Sequence, residues 1–243
     1  MASPRQRIAG QLRRVGARLH ANYTWKRTLD VTVSLLGLAV CLPAMGIAAA
    51  LIKLTSPGPV LFRQERIGLN RRLRNRRNGH NLRPQLERRN GDRRNGSKHG
   101  KPFIMYKFRS MRINAEDEQP EWAVEGDPRI TPIGKFLRKT RIDETPQFFN
   151  VLRGDMSVVG PRPERDYFYG KLSRDVPEFT LRLRAKPGIT GLAQVENGYT
   201  NSIAGARLKL EHDLRYIDSI GPTTDARILL RTVFVVLSGK GAC

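Results

Sequence analysis

The sequence predicts a mainly helical α/β protein, with an N-terminal re-entrant membrane helix broken at Pro43 ahead of a small cytosolic domain of short strands and interfacial amphipathic helices. Three observations carry this. Residues 31–52 contain no charged side chain, yet basic residues flank them on both sides. Two short stretches, Val60-Leu61-Phe62 followed by Gln64 and Phe103 to Arg109, read as strands between turn residues. Apolar residues then recur at helical spacing from Ile203 to Ile217 and from about Thr224 to Leu237.

Taken in order, residues 1–25 form a basic amphipathic tail in which Ile8, Leu12, Val15 and Leu19 are spaced as one helical face among arginines, suited to an anionic membrane surface. Residues 26–55 hold the apolar run. Its length matches the roughly 30 Å hydrocarbon core, but Pro43 removes a backbone donor at its middle. Arg13, Arg14, Arg18, Lys26 and Arg27 precede it, and Lys53, Arg63, Arg66, Arg71 and Arg72 follow it, so both ends favour the cytosolic side. A helix that enters, bends and returns satisfies both flanks. A single span, a buried core helix and an uncleaved signal sequence are the alternatives. Residues 56–243 form the folded domain, interrupted at 71–100 by a flexible Arg-rich insertion in which Arg-Arg-Asn-Gly occurs at 76–79, 88–91 and 93–96.

Charge narrows the partners. Of 243 residues, 44 are Lys or Arg and 22 are Asp or Glu, a net charge of +22 with aromatics at 7%. Residues 1–30 contribute +6 and residues 71–100 contribute +9, leaving the rest mildly basic. The expected partner is polyanionic: nucleic acid, phospholipid or a phosphorylated substrate. Cys41 and Cys243 build neither a disulfide framework nor a Cys metal site, and His20, His80, His99 and His212 lack metal-ligand spacing.

Chemistry concentrates in residues 127–147. Arg129, Lys135, Arg138, Lys139 and Arg141 crowd around the adjacent carboxylates Asp143 and Glu144, and Pro146 suits the first turn of a helix running through Phe148, Phe149, Val151 and Leu152 to Gly154. That places the two carboxylates at or just before a helix N-terminus. On a regular helix consecutive side chains point about 100° apart, which argues for different roles rather than a shared proton. One carboxylate attacks a phosphorus atom while its neighbour holds a divalent cation; alternatively, the pair is an acidic first turn supporting the helix dipole, with surface ion pairs to the arginines. Arg162, fixed between Pro161 and Pro163, reads as a phosphate clamp or as part of an ordinary Pro-rich turn. Lys186-Pro187-Gly188 through Gln194-Val195 joins a Gly-rich turn to a strand-like end. Ile203, Ala206, Leu210, Leu214 and Ile217 mark an apolar helix face, with Arg207, Lys209, Glu211, His212 and Arg215 outside it and His212 on the surface. The last helix suits packing on the domain or resting on a bilayer.

These pieces resemble the bacterial sugar transferase family, membrane-bound enzymes that move a sugar phosphate from a nucleotide sugar to a polyprenyl phosphate. The resemblance runs from about Lys26 to the C-terminus. It rests on Lys26-Arg27 with Asp30, the Pro-centred apolar run, Ile52-Lys53-Leu54 with Ser56-Pro57-Gly58-Pro59-Val60, Lys107-Phe108-Arg109-Ser110-Met111, Asp143-Glu144 with Pro146-Gln147, Gly154-Asp155-Met156-Ser157, and Gly160-Pro161-Arg162-Pro163. It implies that Asp143 attacks the β-phosphorus of a UDP-sugar, expelling UMP, and that undecaprenyl phosphate then takes the sugar phosphate from the aspartyl intermediate, initiating a surface glycan. It further implies that Glu144 assists with Mg²⁺ as the metal residue and that Arg138 and Arg162 lie near the dyad and the nucleotide. Lys107, Arg109, Arg129 and Gln194 fall in family blocks as further substrate-side residues without an individual role. The implied setting is the cytosolic face of the bacterial inner membrane, in contact with phospholipid, with a homodimer as an option and no nucleic-acid partner. Thr145 stands where leucine is common, Cys243 ends a chain that often ends in an aromatic, and the insertion replaces a short turn. The competing reading is a membrane-tethered, non-catalytic basic protein that binds nucleic acid or anionic lipid; sparse aromatics near the arginines argue against base stacking.

Overall fold

The computed structural model describes residues 23–70, 99–113, 126–197 and 203–238. The amphipathic helix expected at 5–21, nearly all of the Arg-rich insertion and the acidic stretch 114–118 lie outside these residues.

Helix α1, Tyr23–Thr55, contains Pro43. The run expected to bend or break at Pro43 is thus one helical element on both sides of it. Among the described residues α1 is the one helix long and apolar enough to cross a membrane. Its 33 residues would measure about 50 Å if straight.

The N-terminal turns of α1 are fastened to the domain by polar contacts. Lys26 Nζ donates to the Val159 carbonyl at 2.9 Å and to the Tyr216 hydroxyl at 2.8 Å, and pairs with Asp225 at 2.5 Å. Arg27 donates to the carbonyls of Val151 and Leu152, and Asp30 Oδ1 accepts from Ser157 Oγ and from the Val158 amide. Further along, Gly37 lies so close to the Phe148 ring that a Cβ would fall 2.7 Å from it. Near the other end Ala48 and Ile52 are buried against Phe108 and Leu137. Both ends of α1 thus rest on one domain, while Val40, Leu42 and Ile47, on either side of Pro43, are exposed.

Strands β1 (Leu61–Ile67) and β2 (Pro102–Phe108) form an antiparallel pair running from Leu61↔Phe108 to Ile67↔Pro102. Both predicted strands are present, and β1 runs three residues past Gln64. The insertion joins the hairpin at the Ile67↔Pro102 end, away from Lys107. His99 and Gly100, assigned by sequence to the flexible insertion, are instead part of the ordered base: Asn70 Nδ2 donates to the His99 carbonyl, and the His99 ring sits 2.8 Å from Asp166 and stacks on Tyr169.

Helix α2, Pro132–Lys139, starts as its sequence dictates: Thr131 accepts from the Gly134 amide at 3.0 Å and Pro132 opens the first turn. A 3-10 turn, Ile142–Glu144, follows. Helix α3, Gln147–Arg153, begins after Pro146 and stops at Gly154 with φ +87°, as predicted. The remaining elements are β3 (Ser157–Val159), α4 (Asp166–Asp175), a 3-10 segment (Pro177–Arg184), β4 (Gly188–Thr190, parallel to β3), α5 (Leu192–Asn197), α6 (Ile203–Asp218) and α7 (Pro222–Ser238).

The main core gathers Phe103, Met105, Val151, Met156, Val158 and Val159 with Tyr216, Ile217 and Ile228 from α6 and α7. A second cluster joins Tyr169, Leu172, Phe179, Leu183, Ala206 and Leu210. Helix α6 packs on both α5 and the 177–184 segment, so more of it is covered than one stripe. Ala206, Leu210 and Ile217 are buried as expected, but so are His212 and Asp213, while Ile203 is half exposed. Arg182, itself fully buried, donates to Asp213 at 2.8 Å, and that pairing explains a charged residue on the inner side of α6.

Candidate active site

The 3-10 turn that carries Asp143 and Glu144 is entered through Arg141, whose φ of +59° is the one positive value outside glycine among the described residues. A non-glycine residue there costs about 1–3 kcal/mol. The turn aims both carboxylates inward: Asp143 is 6% and Glu144 8% exposed. They sit in a turn of their own just before α3, one of the two placements the sequence allowed, with Arg141 and Pro146 separating the turn from the helices on either side.

Glu144 is fully engaged. Lys107 Nζ of β2 donates to its Oε1 at 3.0 Å, Arg162 Nη2 to the same oxygen at 2.6 Å, and Arg162 Nη1 to Oε2 at 3.3 Å. Burial alone would raise its carboxyl, but Arg162 and Lys107 hold it well below the ordinary range. Asp143 differs. Its Oδ1 is buried and accepts no hydrogen bond among the described residues. Burial first, and the ionised Glu144 second, raise its carboxyl from 3.8 to about 6, against the pull of Lys107, Arg138 and Arg162. Lys107 is shifted down from 10.5, chiefly by burial. Two neighbouring carboxylates are therefore differentiated: one is locked by two cations, and the other keeps an unsatisfied oxygen in a cationic enclosure.

Backbone packing sets these positions. Gly134 lets the start of α2 press on the chain after β2, since a Cβ would fall 2.0 Å from the Ser110 carbonyl; one result is that Arg138 Nε reaches Ser110 Oγ at 3.0 Å. On the other side Gly160 and Gly188 meet so closely that a Cβ on Gly188 would come within 2.1 Å of the Gly160 amide. That contact brings the Pro161-Arg162-Pro163 segment up to Glu144.

Of the residues singled out in the sequence, Lys107, Arg138, Asp143, Glu144 and Arg162 converge. Three are placed differently. Arg109 donates to the Ser56 and Pro57 carbonyls and to Ser56 Oγ, fastening the turn that ends α1. Arg129 grips Asp127 through Nε and Nη2. Gln194 Nε2 donates to the Ile189 carbonyl at the β4–α5 junction. Ser110 and Gln147 were not singled out individually; Gln147 is 2% exposed, with an amide Nε2 that has no partner among the described residues. Both fall within the motif blocks, and that was the available signal.

A divalent cation is compatible with this donor set. Among the described residues no three His, Cys, Asp or Glu side chains gather, so an all-protein cage is not offered. Mg²⁺, however, commonly takes only one or two carboxylates together with substrate phosphates. The orphaned oxygen of Asp143 is a donor of that kind, whereas Glu144 would have to give up a contact with Lys107 or Arg162 to serve as a second.

The model of the bacterial sugar transferase family matches residues 21–75 and 90–239. The chain belongs to this family. Among curated proteins it is 39% identical over 217 residues to a UDP-N-acetylgalactosamine-undecaprenyl-phosphate N-acetylgalactosaminephosphotransferase of Aeromonas hydrophila, covering 89% of this chain and 44% of that protein. It is 44% identical over 158 residues to a putative undecaprenyl-phosphate N-acetylgalactosaminyl 1-phosphate transferase of Bacillus subtilis, covering 65% of this chain and 72% of that protein. A UDP-glucose:undecaprenyl-phosphate glucose-1-phosphate transferase of Caulobacter vibrioides is 37% identical over 238 residues, covering 97% of this chain and 76% of that protein. The chain therefore spans less than half of the Aeromonas relative and about three quarters of the other two.

Proposed function

We propose that the protein is a phosphotransferase that moves a sugar 1-phosphate from a UDP-sugar to undecaprenyl phosphate at the cytosolic face of the bacterial inner membrane, through an aspartyl intermediate, as the first step in building a surface glycan. The observation that carries this reading is the contrast between the two carboxylates. Asp143 keeps a buried oxygen free of hydrogen bonds, the condition of a poised nucleophile, while Glu144 is held ionised by Lys107 and Arg162.

In the first half-reaction the Asp143 oxygen bonds to the phosphorus that carries the sugar. The bond from that phosphorus to the oxygen bridging the two phosphates breaks, and UMP departs with the electron pair. In the second, an oxygen of undecaprenyl phosphate bonds to the same phosphorus and Asp143 leaves with the pair of the acyl phosphate bond, restoring its carboxylate. Lys107, Arg138 and Arg162 offset the charge on the phosphate oxygens. Glu144, on exchanging a contact with Lys107 or Arg162, would hold Mg²⁺, which would supply further positive charge to the phosphate. The placement of α1 supports access to a lipid acceptor: both ends rest on the domain and the exposed apolar middle surrounds Pro43, which suits a segment that dips into one leaflet and returns.

The test uses purified protein in nanodiscs, Mg²⁺ and a panel of UDP-sugars, without lipid acceptor. UMP release together with a sugar-phosphorylated peptide containing Asp143 is expected. UMP release without any covalent adduct on Asp143, or undiminished activity in Asp143→Asn, refutes the aspartyl route.

A further inference from the structure

Arg162 reaches Glu144 from a segment with little means of fixing itself. Pro161 and Pro163 have no N–H groups, so beyond the tie of the preceding Gly160 amide to the Thr190 carbonyl at 2.8 Å the segment is held largely through its carbonyls. The Pro161 carbonyl accepts from the Gly188 amide at 2.9 Å and the Glu164 carbonyl from the Ile67 amide at 3.0 Å. The Pro163 carbonyl, next to Arg162, accepts from Arg66 Nη1 at 3.2 Å. The same Nη1 lies 3.5 Å from Glu164 Oε2, and Arg66 Nη2 donates to the buried Gln64 Oε1, which orients the guanidinium. Glu164 is held from its other oxygen by Lys209 Nζ at 2.5 Å, with Arg182 Nη1 at 3.9 Å. Burial, overcome by Lys209, Arg66 and Arg182, leaves its carboxyl at about 2.

We infer that Arg66, seated on Glu164 and Gln64, is a positioning residue for the transfer reaction: by gripping the Pro163 carbonyl it fixes the Pro-Arg-Pro segment so that the Arg162 guanidinium meets Glu144 and, through it, the substrate phosphates. The inference rests on the function proposed above. Arg66 lies near the far end of β1 from the strand position opposite Lys107, since Leu61 and Phe62 pair with Phe108 and Lys107 while Arg66 pairs with Phe103. It acts through the segment, and its charge also bears on Lys107, whose ammonium it helps to push down after burial. Displacement of a catalytic group by about 1 Å can cost about a hundredfold in rate, so loss of this single tie is expected to be visible in turnover.

The experiment measures UMP release from a UDP-sugar by the full-length protein in nanodiscs, together with melting temperature, for Arg66→Met, Arg66→Lys, Arg162→Ala and the double variant Arg66→Met/Arg162→Ala. Arg66→Met is expected to lower kcat by about ten- to a hundredfold, with Arg66→Lys recovering part of the loss because an ammonium can still donate to the Pro163 carbonyl. In the Arg162→Ala background Arg66→Met is expected to add no further loss, because the group it positions is gone. Ile228→Val, a core change on α7 that removes none of the hydrogen bonds of Arg66, Glu164 or Arg162, supplies the control: at a comparable fall in melting temperature it keeps wild-type kcat. Losses that multiply in the double variant, or an Arg66→Met enzyme with wild-type kcat, overturn the inference. If Arg66→Met does not fold, Gln64→Ala, which removes the acceptor orienting the guanidinium, is carried through the same cycle with the same criteria. A wild-type protein that releases UMP from no UDP-sugar overturns the functional reading itself and the inference with it, an outcome distinct from active wild type with multiplying losses.

Discussion

Asp143→Asn keeps the shape of the side chain while removing its charge, so it separates what the carboxylate does for the reaction from what it does to the fold. Burial and the neighbouring Glu144 raise the Asp143 carboxyl from 3.8 to about 6. Each tenfold change in proton affinity is worth about 1.4 kcal/mol, so keeping this group ionised at pH 8 costs the folded state about 3 kcal/mol. The folded protein binds the proton more tightly than the unfolded chain. The cost is therefore absent below about pH 4, grows between pH 4 and 6, and is complete above that window. The asparagine amide brings a buried N–H donor, worth about 1–3 kcal/mol if it finds no partner, leaving a net stabilisation of about 0–2 kcal/mol. Thermal unfolding in nanodiscs should show Asp143→Asn melting above wild type at pH 8, with the advantage gone at pH 4. UMP release should be abolished. A difference between the two proteins that does not grow in favour of Asp143→Asn from pH 4 to pH 8 contradicts the electrostatic reasoning.

Glu144→Gln removes the negative charge that raises Asp143 while Lys107 and Arg162 remain, so the acid limb of the residual pH–rate profile should move below about pH 6; an upward movement would show that Glu144 is not the neighbour responsible. Gly134→Ala drives a methyl group into the Ser110 carbonyl and should destabilise by about 1–3 kcal/mol, lowering kcat as well through the Ser110–Arg138 contact; denaturant melts and UMP release report the two effects separately. Lys26→Met leaves the fully buried Asp225 carboxylate without its cation, a loss of about 3–5 kcal/mol that Asp225→Asn in the same chain should largely restore. Deleting residues 76–89, which the family model passes over, should leave UMP release at the wild-type level, because the insertion joins the hairpin at the end away from Lys107.

What the sequence disclosed was mostly local. Pro146 and Gly154 bounded α3 correctly because helix initiation and termination are decided by backbone chemistry within a turn. The charge-free run became α1, but Pro43 did not end it, since a single lost donor cannot outweigh the helical bonds on either side. Sequence proximity did not foretell the partner of Arg129, which lies 14 positions before Asp143 but only two after Asp127 and pairs with Asp127. The contacts that define the site, Lys107 and Arg162 on Glu144, join residues 37 and 18 positions apart; motif blocks brought these residues to notice, but periodicity had no means of pairing them. His212 was read as outward-facing because polar residues on an amphipathic helix usually are, yet it is buried beside Asp213. The fully buried Arg182 reverses that expectation, and nothing near it in sequence announces that it seeks an acid on another helix.

The seating of α1 also bears on how this protein can be handled. A soluble version made by trimming the chain back to residue 56 would remove more than an anchor. Ala48 and Ile52 would leave a hole over Phe108 and Leu137, Asp225 would lose its counterion, and the Val158 amide would lose the carboxylate of Asp30. The catalytic unit and its lipid-facing segment share one interior, so a stable water-soluble truncate would require those vacancies to be refilled by design.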